Sequence, residues 1–509
     1  MSAPSQQTQL GLEVLAVSAG LGIGADALLR STPWGLNALL CTVAVVAAAG
    51  WIVRRRQIAV SGDATWLGVT ALLLGLNFVA RDSSWLRALD ALGIAIVGAL
   101  AWCSLRGVSL RGRHPWDYVQ GGVASAASTC LGVWPLAVRD VRWSELSGGG
   151  AWRGALGAGV GVLLAFPLVL VFAGLFASAD PVFHNVVASI VDVDFGVIAS
   201  HVLLIGLGAA LAAGYFWGAL IRRGPLPALP GGQDLSLGIV PAGTALGLLD
   251  LLFLVFVVIQ LRYFFGGAEL IERTTGLTYA EYARRGFFEL VTASALVLPI
   301  LVGGDWALRH EPRENQRTFR FLAGLLLVLL AVVMVSALRR VWLYVAEFGL
   351  SEIRLYATAF MIYLAVVFAW FGWTVLRERR HRFAFGALVQ GFAVLAGLHL
   401  LNPDALIVRT NLARTAVHRP FDAVYAASLG ADAVPDLLGA FARLGDQDKC
   451  RAAAALLARW TPEGNGGKQP AAEGWRNWNL ARARARRAVH EHAALLKATP
   501  CPASRPPTG

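Results

Sequence analysis

Asp180 and His184, four residues apart, with Asp192 and Asp194 further on, are the side chains of this 509-residue chain best suited to holding a divalent metal. They would serve equally as an acid–base pair. On a helix, Asp180 and His184 share one face. The same residues have a plainer use, because Asp is a favoured N-cap and the following Pro181 a favoured first helical residue, so the segment also reads as a helix start at a surface. Asp250 is a second candidate. It stands near the middle of an apolar run, PAGTALGLLDLLFLVFVVIQ, where an ionisable group is costly and marks a proton, cation or substrate site unless a neighbouring helix hydrogen-bonds it. Glu13, Asp90, His201, Glu289 and His399 hold weaker versions of that position, nearer the ends of such runs.

A third group joins Arg340, Tyr344, Glu347 and Arg354 to Arg262, Glu281, Arg284 and Arg285 in the preceding connection. Such a basic–acidic cluster would grip an anionic headgroup, or else tie two connections together as an ion-pair network. Nothing matches a GxxxxGK[ST] phosphate loop, a GxSxG elbow, HExxH or CxxC, so ATP-driven transport by this chain alone, serine hydrolysis and zinc proteolysis lose support, and no cofactor is expected.

The elements that must position these residues are lipid-spanning helices. The chain is 56% hydrophobic and 15% charged, against about 45–50% and about 25% in soluble domains, and its mean hydropathy is +0.59. Eleven apolar runs of spanning length start near Leu10, Leu36, Trp66, Trp85, Ala155, Gly196, Ile239, Phe287, Phe321, Leu355 and Phe383. The stretch Val119–Val138 is apolar but rich in Gly, Ala and Ser, and reads as an interfacial or re-entrant segment; if it spanned, everything after it would invert. Nineteen arginines fall in every second connection, from Arg54 to Arg382, while the connection from Ser178 to Phe195 carries acids and no Lys or Arg. The positive-inside rule then puts the amino terminus in the cytoplasm and the tail after about Leu401 outside. The net charge of +12 is explained by these loops facing anionic lipid, and nucleic acid is not expected as a partner. The amino terminus lacks a basic n-region and a cleavage pattern, so the first run reads as a retained span. Small-residue pairs (Gly20/Gly24, Gly157/Gly161, Gly243/Gly247) suggest close helix packing.

From about Asn402 charges become frequent, and Asp404–Val417, Val434–Arg443, Gln447–Trp460 and Trp475–Leu496 suit amphipathic helices, with Thr461–Glu473 as loop. Cys450 and Cys501, the two cysteines of the tail, read either as a pair formed in an oxidising compartment or as two unrelated free thiols. The run Arg482, Arg484, Arg486, Arg487 reads as a solvated helix face before a phosphate patch. The expectation is an all-α polytopic bundle of about eleven spans with a small α-helical soluble C-terminal domain: residues 1–153 as N-terminal spans with a long basic connection, 154–401 as the core bundle, 402–509 as the tail.

Several segments resemble, in order, a bacterial membrane-protein family: Ser178–Phe183 (SADPVF), Leu261–Gly267 (LRYFFGG), Tyr279–Leu290 (YAEYARRGFFEL), Ser336–Arg354 (SALRRVWLYVAEFGLSEIR), Asn402–Arg414, Gly430–Pro435 (GADAVP) and Trp475–Asn479 (WRNWN). Together they are similar to the multi-pass proteins of the domain-of-unknown-function 4153/4173 type. The resemblance implies a bacterial cytoplasmic-membrane protein with no established activity, and it supplies no catalytic residues. Three functions stay open: non-enzymatic transport or binding of a small solute or amphiphile, a membrane-embedded transferase using a lipid-linked donor, and an envelope scaffold or sensor whose tail docks a membrane or envelope protein.

Overall fold

The computed structural model describes residues 5–145, 195–225, 238–275, 287–415, 421–461 and 474–501, with 169, 172, 175–176 and 178–180. The fold is all-α, with no strand among the described residues. Ten helices are long and apolar enough to cross a membrane. We number α1 Gln6–Leu29, α2 Leu36–Arg55, α3 Asp63–Ala80, α4 Ser84–Leu105, α5 Pro115–Leu131, α6 Phe195–Phe216, α7 Ile239–Thr275, α8 Phe287–Ala307, α9 Arg313–Phe348, α10 Glu352–Thr374 and α11 Phe383–Leu401, of which α5 alone fails the length-and-composition criterion by itself. Most of the run starting near Ala155 lies outside the described residues. At 36 residues, α9 is about 54 Å long, well beyond a hydrocarbon core of about 30 Å.

Polar contacts sort the helix ends onto two faces. On one, Asp305 meets Arg380 at 3.6 Å, Arg320 meets Glu378 at 2.7 Å, and Arg106 donates to the carbonyls of Gly218 and Gly224. This face carries the arginine-rich connections. On the other, Asp26 near the end of α1 takes the His201 ring at 2.6 Å, and the α1–α2, α3–α4 and α9–α10 connections meet the tail. Helix α5 begins and leaves on the arginine face. Trp116 lies against Trp306, Tyr118 donates to the Leu110 carbonyl, and past a 53° bend Asp140 accepts from Gln7 and Trp217. Both ends meet the arginine face, and a bend of 53° tilts the segment without reversing it, so it lies along that face, the interfacial form of the two readings open for Val119–Val138. Gly132 at the bend makes this possible, since a Cβ there would lie 2.5 Å from the Ser128 carbonyl and 2.9 Å from that of Gly214.

The spans pack as two groups. One buried cluster runs through α1–α4 and α6 (Val14, Ile52, Leu67, Val97, Phe216), the other through α7–α10 (Leu246, Leu301, Leu326, Met361, Phe371). Helix α11 bridges them, giving Phe383 to the second and resting Leu388, Phe392 and Leu395 on the first. Helix α6 reaches back to α1 through Gly22, where a Cβ would sit 2.8 Å from the Ala209 nitrogen. The close contact therefore falls at Gly22, not at the Gly20/Gly24 pair, whose Cβ positions meet nothing within 4 Å. Gly247 is equally open, and Gly243 makes only ordinary contact. Neither of these pairs makes the close contact expected of it, and Gly157/Gly161 lies outside the described residues.

Asn402, with φ +52, ends α11, and Pro403 opens α12 (Pro403–Thr415), a left-handed stop followed by a residue preorganised for a helix start. The tail continues with α13 (Ala423–Ser428), α14 (Val434–Gly439), α15 (Asp446–Trp460), α16 (Leu480–Glu491) and α17 (Ala493–Lys497). It has a core of its own, including Ile407, Leu437, Phe441, Leu456 and Val489. Cys450 and Cys501 are disulfide-bonded, with Cα atoms 5.1 Å apart. The single helix expected over Trp475–Leu496 is broken, because Asn479 leaves the helix to cap α16 by accepting from the Arg482 nitrogen. Arg484 and Arg487 are exposed, as a solvated face requires, but Arg482 is buried and does not belong to that face.

Candidate functional site

Asp250 lies on the buried face of α7 with Leu246 and Val257, and is 4% exposed. Both of its carboxylate oxygens are buried without a hydrogen-bond partner. The other ionisable groups singled out near span ends fare differently. Glu13 meets Arg55 and Arg56 at 3.0 and 2.7 Å, His201 meets Asp26, and Asp90 accepts from Asn77 at 3.1 Å and faces His399 at 3.0 Å. Glu289 is exposed. Among the described residues, Asp250 is the one carboxylate whose two oxygens are both buried and unsatisfied.

Of the cluster expected around Arg340, the described side chains are Arg340, Tyr344, Glu347 and Arg354. Arg340 donates to the Gln260 side chain at 2.9 Å, beside Ser336 on the same acceptor. Arg354 stacks over the Tyr344 ring at 4.1 Å and donates to the Gly349 carbonyl. The Glu347 carbonyl accepts from Arg414 of the tail. Gly349, at φ +84, must be glycine: a Cβ would lie 2.6 Å from Asn411 Oδ1. Arg284, with Glu281 and Arg285, lies outside the described residues, as do His184, Asp192 and Asp194. Asp180 is described and exposed. Among the described residues no three His, Cys, Asp or Glu side chains gather around a common metal position.

A polar network that single residues did not announce joins the tail to the spans. Arg482 pairs with Asp82 at 2.8 Å, Arg81 with Asp432 at 2.9 Å, and the Asp82 nitrogen donates to the other Asp432 oxygen. Asn479 donates to the carbonyls of Phe78 and Arg81, two acceptors that the end of α3 leaves unpaired. Leu36 donates to the Trp478 carbonyl, Asn411 exchanges two bonds with Leu350, and Glu352 donates its amide to the Tyr425 hydroxyl. Asp404 is fully buried and accepts from the Gly430 amide through one oxygen, the other having no partner. Burial, with Glu352 and Asp432 nearby, pushes its carboxyl up to about 7. Burial likewise raises the Tyr425 hydroxyl. The only hints in the sequence were acids and amides clustered in three of the segments quoted above, Asn402–Arg414, Gly430–Pro435 and Trp475–Asn479.

Between the two groups of spans lies a cavity of about 580 Å³, bounded by α4, α8, α10 and α11. Its wall is apolar and aromatic, including Leu92, Ile96, Val291, Phe360, Phe392 and Leu395. Leu92, Ile96 and Phe360 are exposed, so the cavity opens sideways toward lipid. At its tail-face end Trp85 stacks on Tyr356 with ring centres 5.6 Å apart, and the Tyr356 hydroxyl meets Ser83 at 3.1 Å. Sequence gave no sign of it, since a groove wall and a lipid-facing stripe are both simply apolar.

The chain is a multi-pass membrane protein by the number and character of its helices. No curated protein and no solved structure matches it. The family model described as a domain of unknown function, DUF4153, matches residues 68–440, from α3 through the helices at the head of the tail. With most of its length covered by that match, the chain belongs to the DUF4153 family.

Proposed function

We propose that this protein is a non-enzymatic membrane protein that binds an amphiphile and moves it within the bilayer, in a bacterial cytoplasmic membrane with the arginine face toward the cytoplasm and the tail outside. The observation that carries this reading is the lateral cavity between the two helix groups. Its volume falls in the range of about 300–1,000 Å³ typical of small-molecule sites. Its apolar wall suits a hydrocarbon chain, and at the tail-face end Trp85 and Tyr356 line it, where the amphipathic Tyr356 ring, its hydroxyl bonded to Ser83, would meet the polar end of such a ligand. The arginine distribution supports the orientation.

Gly391 lines the cavity, and a Cβ there would make only ordinary contact with Tyr363. Gly391→Leu therefore fills the space without disturbing a helix contact. A lipid carrying a photoreactive chain should label the wild type within this cavity and label the variant several-fold less. Equal labelling of both would remove the reading.

Asp250 favours a second reading, coupling to a proton or cation. An ionised carboxylate with neither donor nor counter-charge is strongly disfavoured inside a membrane. Asp250→Asn should then abolish ion-coupled uptake into proteoliposomes while the protein stays folded. Unchanged coupling would exclude Asp250 as the site.

A further inference from the structure

The bent segment makes a second cavity, on the arginine face, of about 820 Å³. Its wall holds Arg106, Arg139, Arg222 and Arg223 with the three indoles of Trp102, Trp134 and Trp217, and among the described residues no acid lines it. Trp134 is 65% exposed and Leu131 is exposed beside it, so one side faces lipid. Arg222, Arg223 and Arg139 are exposed at the other. Asp140, on the adjoining turn, is occupied by Gln7 and Trp217. Two N–H donors in the wall, Nε of Arg106 and Nε1 of Trp102, are buried with no acceptor. Arg106 is held in place by stacking on Trp102 at 4.6 Å and by its bonds to the carbonyls of Gly218 and Gly224.

We propose that this cavity binds the phosphate headgroup of an anionic phospholipid. The chemistry is complementary at each level. Guanidinium groups bind phosphate through paired N–H donors. Indoles belong at the headgroup level, where one edge is wet and the ring is not. The apolar side at Leu131 and Trp134 gives the acyl chains a continuous path into the bilayer, which a soluble phosphate ester would not use. General attraction of arginine-rich loops to anionic lipid acts over the whole face. This site differs in being concave, free of acids among the described residues of its wall, and supplied with two buried donors, on Arg106 and Trp102, that lack acceptors. It does not depend on the groove between the helix groups.

The test uses the full chain in nanodiscs of equal parts phosphatidylcholine and phosphatidylglycerol, released into native mass spectrometry. The wild type should retain phosphatidylglycerol selectively. Arg139→Gln with Arg222→Gln should lower that retention by about tenfold or more, each basic residue near a membrane surface being worth roughly a kcal/mol toward anionic lipid. Arg139→Lys with Arg222→Lys should keep most of it, which guards against loss through misfolding. Arg54→Gln, an exposed arginine outside the cavity wall, should change nothing. Equal retention of the two lipids, or equal loss in Arg54→Gln, would overturn the site. Displacement of the lipid by inorganic phosphate alone would overturn the lipid assignment.

Discussion

The Arg482–Asp82 pair offers the sharpest test of how the tail is held. Its partners are 6% and 7% exposed and 2.8 Å apart. Arg482 also donates to the Asn477 carbonyl, and Asp82 keeps only a longer second contact, to Arg87 at 3.3 Å. Arg482→Met preserves the packing of the stem and removes the charge, leaving the buried Asp82 carboxylate under-compensated. Breaking one side of a buried pair costs about 3–5 kcal/mol. A reporter lies next to it: the Leu36 amide is protected by the Trp478 carbonyl of the tail, 3.0 Å away. If tail release is the opening event, hydrogen exchange at Leu36 should accelerate about 160- to 5,000-fold, a pKa unit's worth of free energy being about 1.36 kcal/mol per tenfold. Adding Asp82→Asn should recover at least half of the loss, because the orphaned charge goes with it. Unchanged exchange at Leu36 in a folded Arg482→Met protein would refute the claim that this pair fastens the tail.

Other expectations follow from the same interface. With its carboxyl at about 7 when buried against about 3.9 in an unfolded chain, Asp404 holds its proton more tightly in the folded state; the resulting stability, up to about 4 kcal/mol, is full below about pH 4 and lost as pH rises through about 7. The thermal midpoint should fall over that window, and Asp404→Asn should flatten the fall; an identical pH profile in the variant would be the contrary result. Gly35→Ala would place a Cβ 2.5 Å from the Trp478 carbonyl and should cost about 1–3 kcal/mol, whereas Gly20→Ala, open on all sides, should be neutral by the same melt. Cys450→Ser opens a loop closed over 51 residues and should lower tail stability by about 4 kcal/mol on the chain-entropy account, read as earlier proteolysis of the tail.

The spans were legible because each needs an uninterrupted apolar stretch, and ten of the eleven expected starts coincide with observed helices. What periodicity could not supply was the azimuth of a helix against its neighbours. Gly22 rather than Gly20 meets α6, and Arg482 rather than its three companions turns inward. Both outcomes depend on groups far away in sequence, the Ala209 backbone in one case and Asp82 in the other. The break at Asn479 has the same origin, since the carbonyls it serves are at Phe78 and Arg81. Helix α13 escaped notice because six residues carry too little pattern. Asp250 stood out for a physical reason, the cost of an acid in an apolar run, while of the Arg340 group the described residues keep Arg354 on Tyr344 and the members from Glu281 to Arg285 lie outside the described residues.

The bond from Leu36 to Trp478 also bears on how the protein is made. The first hairpin leaves the ribosome long before its cap exists, and the turn after α3 likewise waits for Asn479. Through most of synthesis those early turns must be satisfied by water or by a biogenesis factor. A segment translated about 440 residues later then closes structures begun with the first hairpin, so a chain stopped before Trp478 would carry a full complement of early helices with their tail-face turns still undressed.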